Sequence, residues 1–226
     1  MPIGPIGLIC RLEGSRLSQL QSIAEAVIRG EFPETQRLID EALENGVKPV
    51  EIINNGLIAG MQVIADRFKR NEIYVPEVSI AARAMNAGLN IVKPLVSETN
   101  MKPVAKVIIG TMKGDLHDIG KKLVAMMLEG AGFAVIDLGI DVSPEKFVDA
   151  VREYRPQIMA MSALLTTTMP AMAGSVKLLE ESGLRSQVKV IVGGAPITDA
   201  YAGKIGADGY SPDAGSAVDL AKSLVS

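Results

Sequence analysis

The chain of 226 residues contains one histidine, His117, within the run Gly114-Asp115-Leu116-His117-Asp118-Ile119-Gly120. An imidazole on a loop can ligate a metal or carry a proton. A carboxylate two residues away can accept its other N–H, which fixes the tautomer and raises the basicity of the ring. A second cluster, Ser162-Ala163-Leu164-Leu165-Thr166-Thr167-Thr168, offers hydroxyls that can hydrogen-bond a polar ligand. A third, Gly193-Gly194, permits close backbone approach beside a flat or bulky ligand. With one Cys and one His in the chain, neither an internal disulfide nor a Cys/His zinc cluster can be built.

These clusters form one site only if the fold gathers them. Apolar, β-rich runs occur at Ala105–Gly110, Ala134–Leu138, Ile158–Ser162, Val188–Val192 and Ala207–Tyr210. Between and after them lie helical patterns near Asp118–Gly130, Pro144–Tyr154, Pro170–Ser182, Ile197–Lys204 and Asp213–Val225. Near-continuous apolar strands alternating with helices predict an α/β, doubly wound, five-stranded parallel sheet of the flavodoxin-like order. In that fold ligands bind beyond the carboxyl ends of the strands, at the switch point between the first and third. The histidine run follows the first strand, the hydroxyls the third, the glycines the fourth, and Tyr210-Ser211-Pro212-Asp213 the fifth.

Before this domain the periodicity is helical. Apolar positions three and four apart predict helices from Ser15 to Gly30, Glu34 to Asn45, Pro49 to Phe68 and Pro76 to about Val92. Four helices with short turns read as a bundle. The expected organisation is a flexible arm over residues 1–14, a helical cap over 15–98 and the α/β domain over 99–226. Cys10 falls in the arm and reads as incidental.

The balance of 23 basic and 26 acidic side chains provides no basic surface for nucleic acid or anionic lipid. The N-terminus lacks the basic region and cleavage site of a secretory signal, and the charge-free stretch Pro156–Val176 is broken by prolines and threonines, so a membrane span is not expected. A cytoplasmic protein is the default. A dinucleotide-type first turn would need Gly-x-Gly-x-x-Gly, whereas only Gly114 and Gly120 are present. A phosphate-accepting receiver would need a carboxylate ending the third strand, where Ser162 stands.

Asp115-x-His117-x-x-Gly120, then Ser162-x-Leu164, then Gly193-Gly194, resembles the three-part signature of the cobalamin-binding domain. That domain occurs in methionine synthase and in the small corrinoid proteins of methylamine, methanol and related methyltransfer systems. The helical part, particularly Tyr74-Val75-Pro76-Glu77, is similar to the cap bundle preceding it there. The resemblance implies a cofactor, cobalamin or a related corrinoid carrying cobalt in methylcobalamin and Co(I) forms. It implies His117 as the lower axial ligand, hydrogen-bonded by Asp115, with Thr168 extending the relay. It places Gly114, Leu116, Asp118, Ile119 and Gly120 around the cofactor, Ser162, Leu164 and Thr166 against its nucleotide tail, Gly193 and Gly194 along the slot for that tail, and Tyr210 and Ser211 nearby. Tyr74, Val78 and Met85 would cover the upper face. The implied role is a methyl carrier more than an enzyme, the corrinoid subunit of a methyltransferase system, charged by a substrate-specific corrinoid methyltransferase and discharged by a second methyltransferase with a thiol or folate acceptor. A reductive activation protein completes the partners implied for this one-carbon, methylamine-type metabolism. A corrinoid-dependent regulator and an adenosylcobalamin mutase small subunit are the alternative readings.

Overall fold

Helical periodicity and β-branched runs divide the chain, and the computed structural model follows that division. It describes residues 5–95 and 102–226, with side chains from residue 16 onward. The chain splits into two units, Met1–Lys102 and Pro103–Ser226. The domain boundary expected at 98/99 lies outside the described residues.

The first unit comprises α1 (Pro5–Arg29), α2 (Phe32–Glu44), α3 (Pro49–Glu51), a π-helical segment (Ile52–Ile58), α4 (Ala59–Lys69) and α5 (Val75–Val92). Helix α1 begins at Pro5, not Ser15, so most of the stretch expected as an arm is helical. Proline is accommodated in a first turn, and the glycines that suggested a loose chain cost a helix only about 1 kcal/mol each. The Cys10 side chain lies outside the described residues.

The third helix was expected to run unbroken from Pro49 to Phe68, and the π turns interrupt it. Its buried positions, Ile52, Ile53, Gly56, Leu57, Gly60, Met61 and Ile64, recur every four residues. A regular α-helix of 3.6 residues per turn would rotate such a stripe progressively away from its neighbours, and the wider turns absorb the drift. Helix α1 packs closely against this face: a Cβ on Gly60 would stand 2.8 Å from the Ala24 carbonyl oxygen. Helix α5 opens on a box in which the Glu77 carboxylate accepts the Tyr74 N–H at 3.0 Å.

In the second unit the strands are β1 (Lys106–Thr111), β2 (Ala134–Asp137), β3 (Ile158–Ser162), β4 (Lys189–Gly193) and β5 (Gly209–Ser211). Among the described residues they form one all-parallel sheet of order β2-β1-β3-β4-β5, the order expected. The helices are α6 (Ile119–Gly130), α7 (Pro144–Tyr154), α8 (Met169–Glu181), α9 (Asp199–Lys204) and α10 (Ala214–Val225). Ser143, Thr198 and Asp213 cap α7, α9 and α10 by accepting backbone N–H bonds from Lys146, Tyr201 and Ser216.

One sheet face is sealed by α7, α8 and α9 around Phe147, Ile108, Met112, Met159, Met161, Met172 and Val190. Helices α6 and α10 pack together over the other, where Val107, Ile109, Ile191 and Val218 are buried. With both faces covered, the carboxyl ends of the strands are where this sheet offers polar groups to a ligand.

Candidate functional site

After β1 the chain turns through Gly114, at φ +85°, and delivers Asp115 and His117 to the sheet edge. Asp115 is fully buried, whereas the His117 side chain is 53% exposed. Asp115 Oδ1 lies 2.6 Å from His117 Nδ1 and also accepts the His117 backbone N–H at 3.0 Å. Its Oδ2 accepts the N–H groups of Leu164 and Leu165 at 2.6 and 3.2 Å, and faces the Thr168 hydroxyl at 3.3 Å. That hydroxyl lies closer to the Leu165 carbonyl, at 2.8 Å, so Thr168 is only a marginal extension of the relay. Burial by itself raises the Asp115 carboxyl. The N–H groups of His117 and Leu164, the His117 ring and the Leu165 N–H outweigh it and hold the carboxyl at about 2.

An ionised Asp115 only accepts, so Nδ1 carries the proton and Nε2 the lone pair. Among the described residues none hydrogen-bonds Nε2, which leaves it open for a ligand bond. No group of three or more His, Cys, Asp or Glu among them could hold a bare metal ion. A single imidazole therefore suits a metal whose other ligands arrive with it, as in a macrocycle. Around His117 the loops expose apolar side chains, Leu116 and Ile119 on its own loop and Leu164 and Leu165 after β3. Gly120, in the first turn of α6, has nothing within 4 Å of where its Cβ would stand, so the protein's own packing does not require a glycine there. A large apolar-edged ring with its own metal fits these features.

Behind the loop, Thr111, Ser162, Gly193 and Ser211 are register partners on four neighbouring strands. All four face the α6 and α10 side, because Met112, Met161, Val192 and Tyr210 beside them pack into the opposite core. The row is small in bulk and ends beneath the site. Its hydroxyls are not equivalent. Thr111 donates to the His117 carbonyl at 2.9 Å and Ser211 to the Asp213 carbonyl at 2.6 Å, while none of the described residues takes up that of half-buried Ser162.

Thr166 is exposed on the turn before α8. Asp118 precedes α6 and pairs with Lys122, whose ammonium draws its carboxyl down. Tyr210, half-buried, packs against the core on the opposite face of the sheet from the row. The packing itself demands Gly194, where at φ +128° a Cβ would stand 1.9 Å from the Ala163 oxygen; at Gly193 a Cβ would stand 3.1 Å from the Ser211 oxygen, a tight approach that a small shift could relieve. In the first unit Val78 and Met85 are buried and Tyr74 is exposed, so the three do not form one open face.

Sequence reasoning missed the Leu164 and Leu165 backbone donors, which carry no residue-type signal. It also missed Thr111, whose hydroxyl at the end of an otherwise apolar strand was a usable clue. Asp141, accepting the Gly114 N–H at 2.7 Å, was missed as well.

Two family models described as B12 binding domains match the chain, over residues 105–219 and 19–93. The trimethylamine corrinoid protein 2 of Methanosarcina acetivorans is 46% identical over 199 residues, 86% of this chain and 92% of that protein. The dimethylamine corrinoid protein 2 of the same organism is 41% identical over 212 residues, 93% and 98% of the two chains. Among solved structures, the methanol:cobalamin methyltransferase complex of Methanosarcina barkeri matches with a TM-score of 0.85 at 30% identity, covering 92% of this chain and 80% of that one. A cobalamin-binding protein of Desulfitobacterium hafniense gives 0.76 at 31% identity, over 92% and 98%. Matches of this extent across both units show that the chain belongs to the family of corrinoid methyl-carrier proteins of methylamine and methanol methyltransferase systems.

Proposed function

We propose that this chain binds a corrinoid through His117 and carries a methyl group between two methyltransferases. One observation carries the site assignment: Asp115 holds Nδ1 of the exposed imidazole at 2.6 Å, leaving Nε2 unpaired at the sheet edge. When bound, the corrinoid supplies a cobalt that takes up and gives up the methyl group. The chain binds, orients and protects it. His117 would hold the cobalt through Nε2, and Asp115 would fix its tautomer and stabilise positive character on the ring. The exposed side chains of Leu116, Ile119, Leu164 and Leu165 would shield the metal-binding nitrogen from water. Gly120 adds no side chain to the first turn of α6, where a Cβ would meet open space. Ser162 would offer its hydroxyl to the nucleotide tail, along the row formed with Gly193.

The relatives' names make a methylamine the leading methyl source, with trimethylamine ahead of dimethylamine on identity. The charging partner is then a methylamine:corrinoid methyltransferase. The acceptor is a thiol or folate on a second enzyme, and a reductive activation protein restores carrier lost to oxidation. We assign the cytoplasm, where such partners operate; no helix among the described residues is long and apolar enough to cross a membrane. Similarity to methyl-carrier proteins along nearly their whole length favours this reading over a regulator or a mutase subunit.

Reconstitution with cobalamin tests the assignment. Wild-type protein should show the absorption spectrum of imidazole-ligated cobalt, and His117→Ala that of an unligated lower face. Identical spectra would refute the axial role of His117. Methyl transfer assayed with methyltransferases for trimethylamine, dimethylamine and methanol should rank them in that order.

A further inference from the structure

The loop carrying His117 is held from two sides. Asp115 ties it to the turn after β3 through the Leu164 and Leu165 N–H groups. On the opposite side are two residues outside the family signature. Thr111, fully buried at the end of β1, donates its hydroxyl to the His117 carbonyl at 2.9 Å. Asp141, in the turn after β2, accepts the Gly114 N–H at 2.7 Å and donates its own N–H to the Asp115 carbonyl at 3.2 Å. Asp141 adopts a left-handed conformation, φ +53°, which costs energy in any residue with a side chain. Thr111 also fixes that turn, its N–H donating to the Gly139 carbonyl at 3.0 Å and its carbonyl accepting from Val142 at 2.9 Å. Side chain and backbone of Thr111 therefore link the two anchors on this side.

We propose that Thr111 and Asp141 are positioning residues that set the height and tilt of the His117 imidazole above the sheet edge, and through it the strength of the axial bond. This rests on the axial reading of His117. Asp115 selects the tautomer and holds the ring, but Asp115 and His117 ride on the same loop. A bond at Nε2 pulls that loop outward, and a loop anchored only at the β3 side would rotate about Asp115. Two anchors on the β1 and β2 side oppose the rotation without touching the imidazole.

Full-length Thr111→Val, Thr111→Ser, Asp141→Gly and Asp141→Asn test this. Valine keeps the volume of threonine and removes its hydroxyl, and serine restores the hydroxyl. Glycine keeps the left-handed backbone and removes the acceptor, and asparagine restores an acceptor. Two readouts are needed. In the apo-protein the single histidine gives one unambiguous imidazole signal by NMR. In protein loaded with cobalamin, the visible spectrum reports the ratio of imidazole-ligated to unligated cobalt, while gel filtration reports total corrinoid bound.

Thr111→Val and Asp141→Gly should lower that ligation ratio by about tenfold while still binding corrinoid. The apo imidazole signal should broaden or split in both. Thr111→Ser and Asp141→Asn should return both readouts toward wild type. Wild-type ligation and an unaltered apo signal in Thr111→Val and Asp141→Gly overturn the proposal. If Thr111→Val does not fold, Asp141→Gly decides. Failure of the axial reading would look different: wild type and His117→Ala would share one spectrum, and the apo signal would still report on positioning.

Discussion

His117 Nδ1 lies 2.6 Å from Asp115 Oδ1, and the pair spans a dielectric boundary: the carboxylate is fully buried and the ring half in solvent. The second carboxylate oxygen receives backbone N–H groups from a different loop. Asp115 is thus a strut between the loops after β1 and β3, as well as the partner of an imidazole.

Asp115→Asn should therefore destabilise the apo-protein as well as weaken corrinoid ligation. An amide has one accepting oxygen, so either the imidazole side or the Leu164–Leu165 side must face an NH2 group. Leaving buried donors unpaired costs about 1–3 kcal/mol, and Asp115→Ala, which removes every acceptor, should cost more. Urea denaturation of the apo-proteins checks the order. Equal stability of wild type and Asp115→Ala would contradict the strut.

The same bonds fix a pH dependence. Asp115 is held at about 2, below the ordinary 3.8, so the native state binds its proton more weakly than the unfolded chain does. Its contribution is complete above the unfolded value near 4 and is lost as pH falls through about 2. Denaturation midpoints at pH 5, 4, 3 and 2.5 should fall more steeply for wild type than for Asp115→Asn. Parallel curves would count against the native hydrogen bonding of this carboxylate.

Two glycines should respond in opposite ways. Gly194→Ala places a Cβ within 1.9 Å of the Ala163 oxygen at φ +128°, and should unfold or severely destabilise the α/β unit. Gly120→Ala meets nothing within 4 Å and adds helix propensity, so the apo-protein should gain up to about 1 kcal/mol. Its corrinoid affinity should nevertheless fall, because the methyl group would project into the open space at the start of α6, next in sequence to the His117 loop. Thermal melting and corrinoid titration of the two variants separate these effects. Unchanged affinity in Gly120→Ala would mean that no ligand occupies that space.

The strands were legible because parallel strands covered on both faces are apolar throughout, and the rule for ligands at their carboxyl ends pointed to the edge where Asp115, His117, Ser162 and Gly193 come together. Less was legible where geometry depends on partners distant in sequence. Gly194 read as room for a ligand, but what it accommodates is the Ala163 carbonyl of the neighbouring segment. Tyr210 and Ser211 were grouped by adjacency, although strand alternation sends them to opposite faces, and only the register shows which. The π turns at Ile52–Ile58 were hidden because a four-residue repeat over a short span resembles an α-helical one. Asp141 stands alone between Ile140 and Val142, and nothing in its local sequence marks it as the acceptor for Gly114.

The pair of Lys121 and Asp137 should respond asymmetrically to the loss of one partner or the other. The Lys121 side chain is 1% exposed and its ammonium meets both Asp137 oxygens, whereas the Asp137 side chain is 38% exposed. Asp137→Ala strands a buried cation and also removes the acceptor of the Gly139 N–H, which lies at 2.9 Å. A loss of about 3–5 kcal/mol is expected. Lys121→Met keeps an apolar stem of similar volume in the buried site and leaves behind a carboxylate that water can reach. Its loss should be under about 1.5 kcal/mol. Urea denaturation of both variants decides the matter. Comparable losses would mean that the attraction itself, and not the desolvation of Lys121, dominates the pair. Because Gly139 also accepts the Thr111 N–H, Asp137→Ala should additionally disturb the apo His117 signal, and Lys121→Met should leave it unchanged.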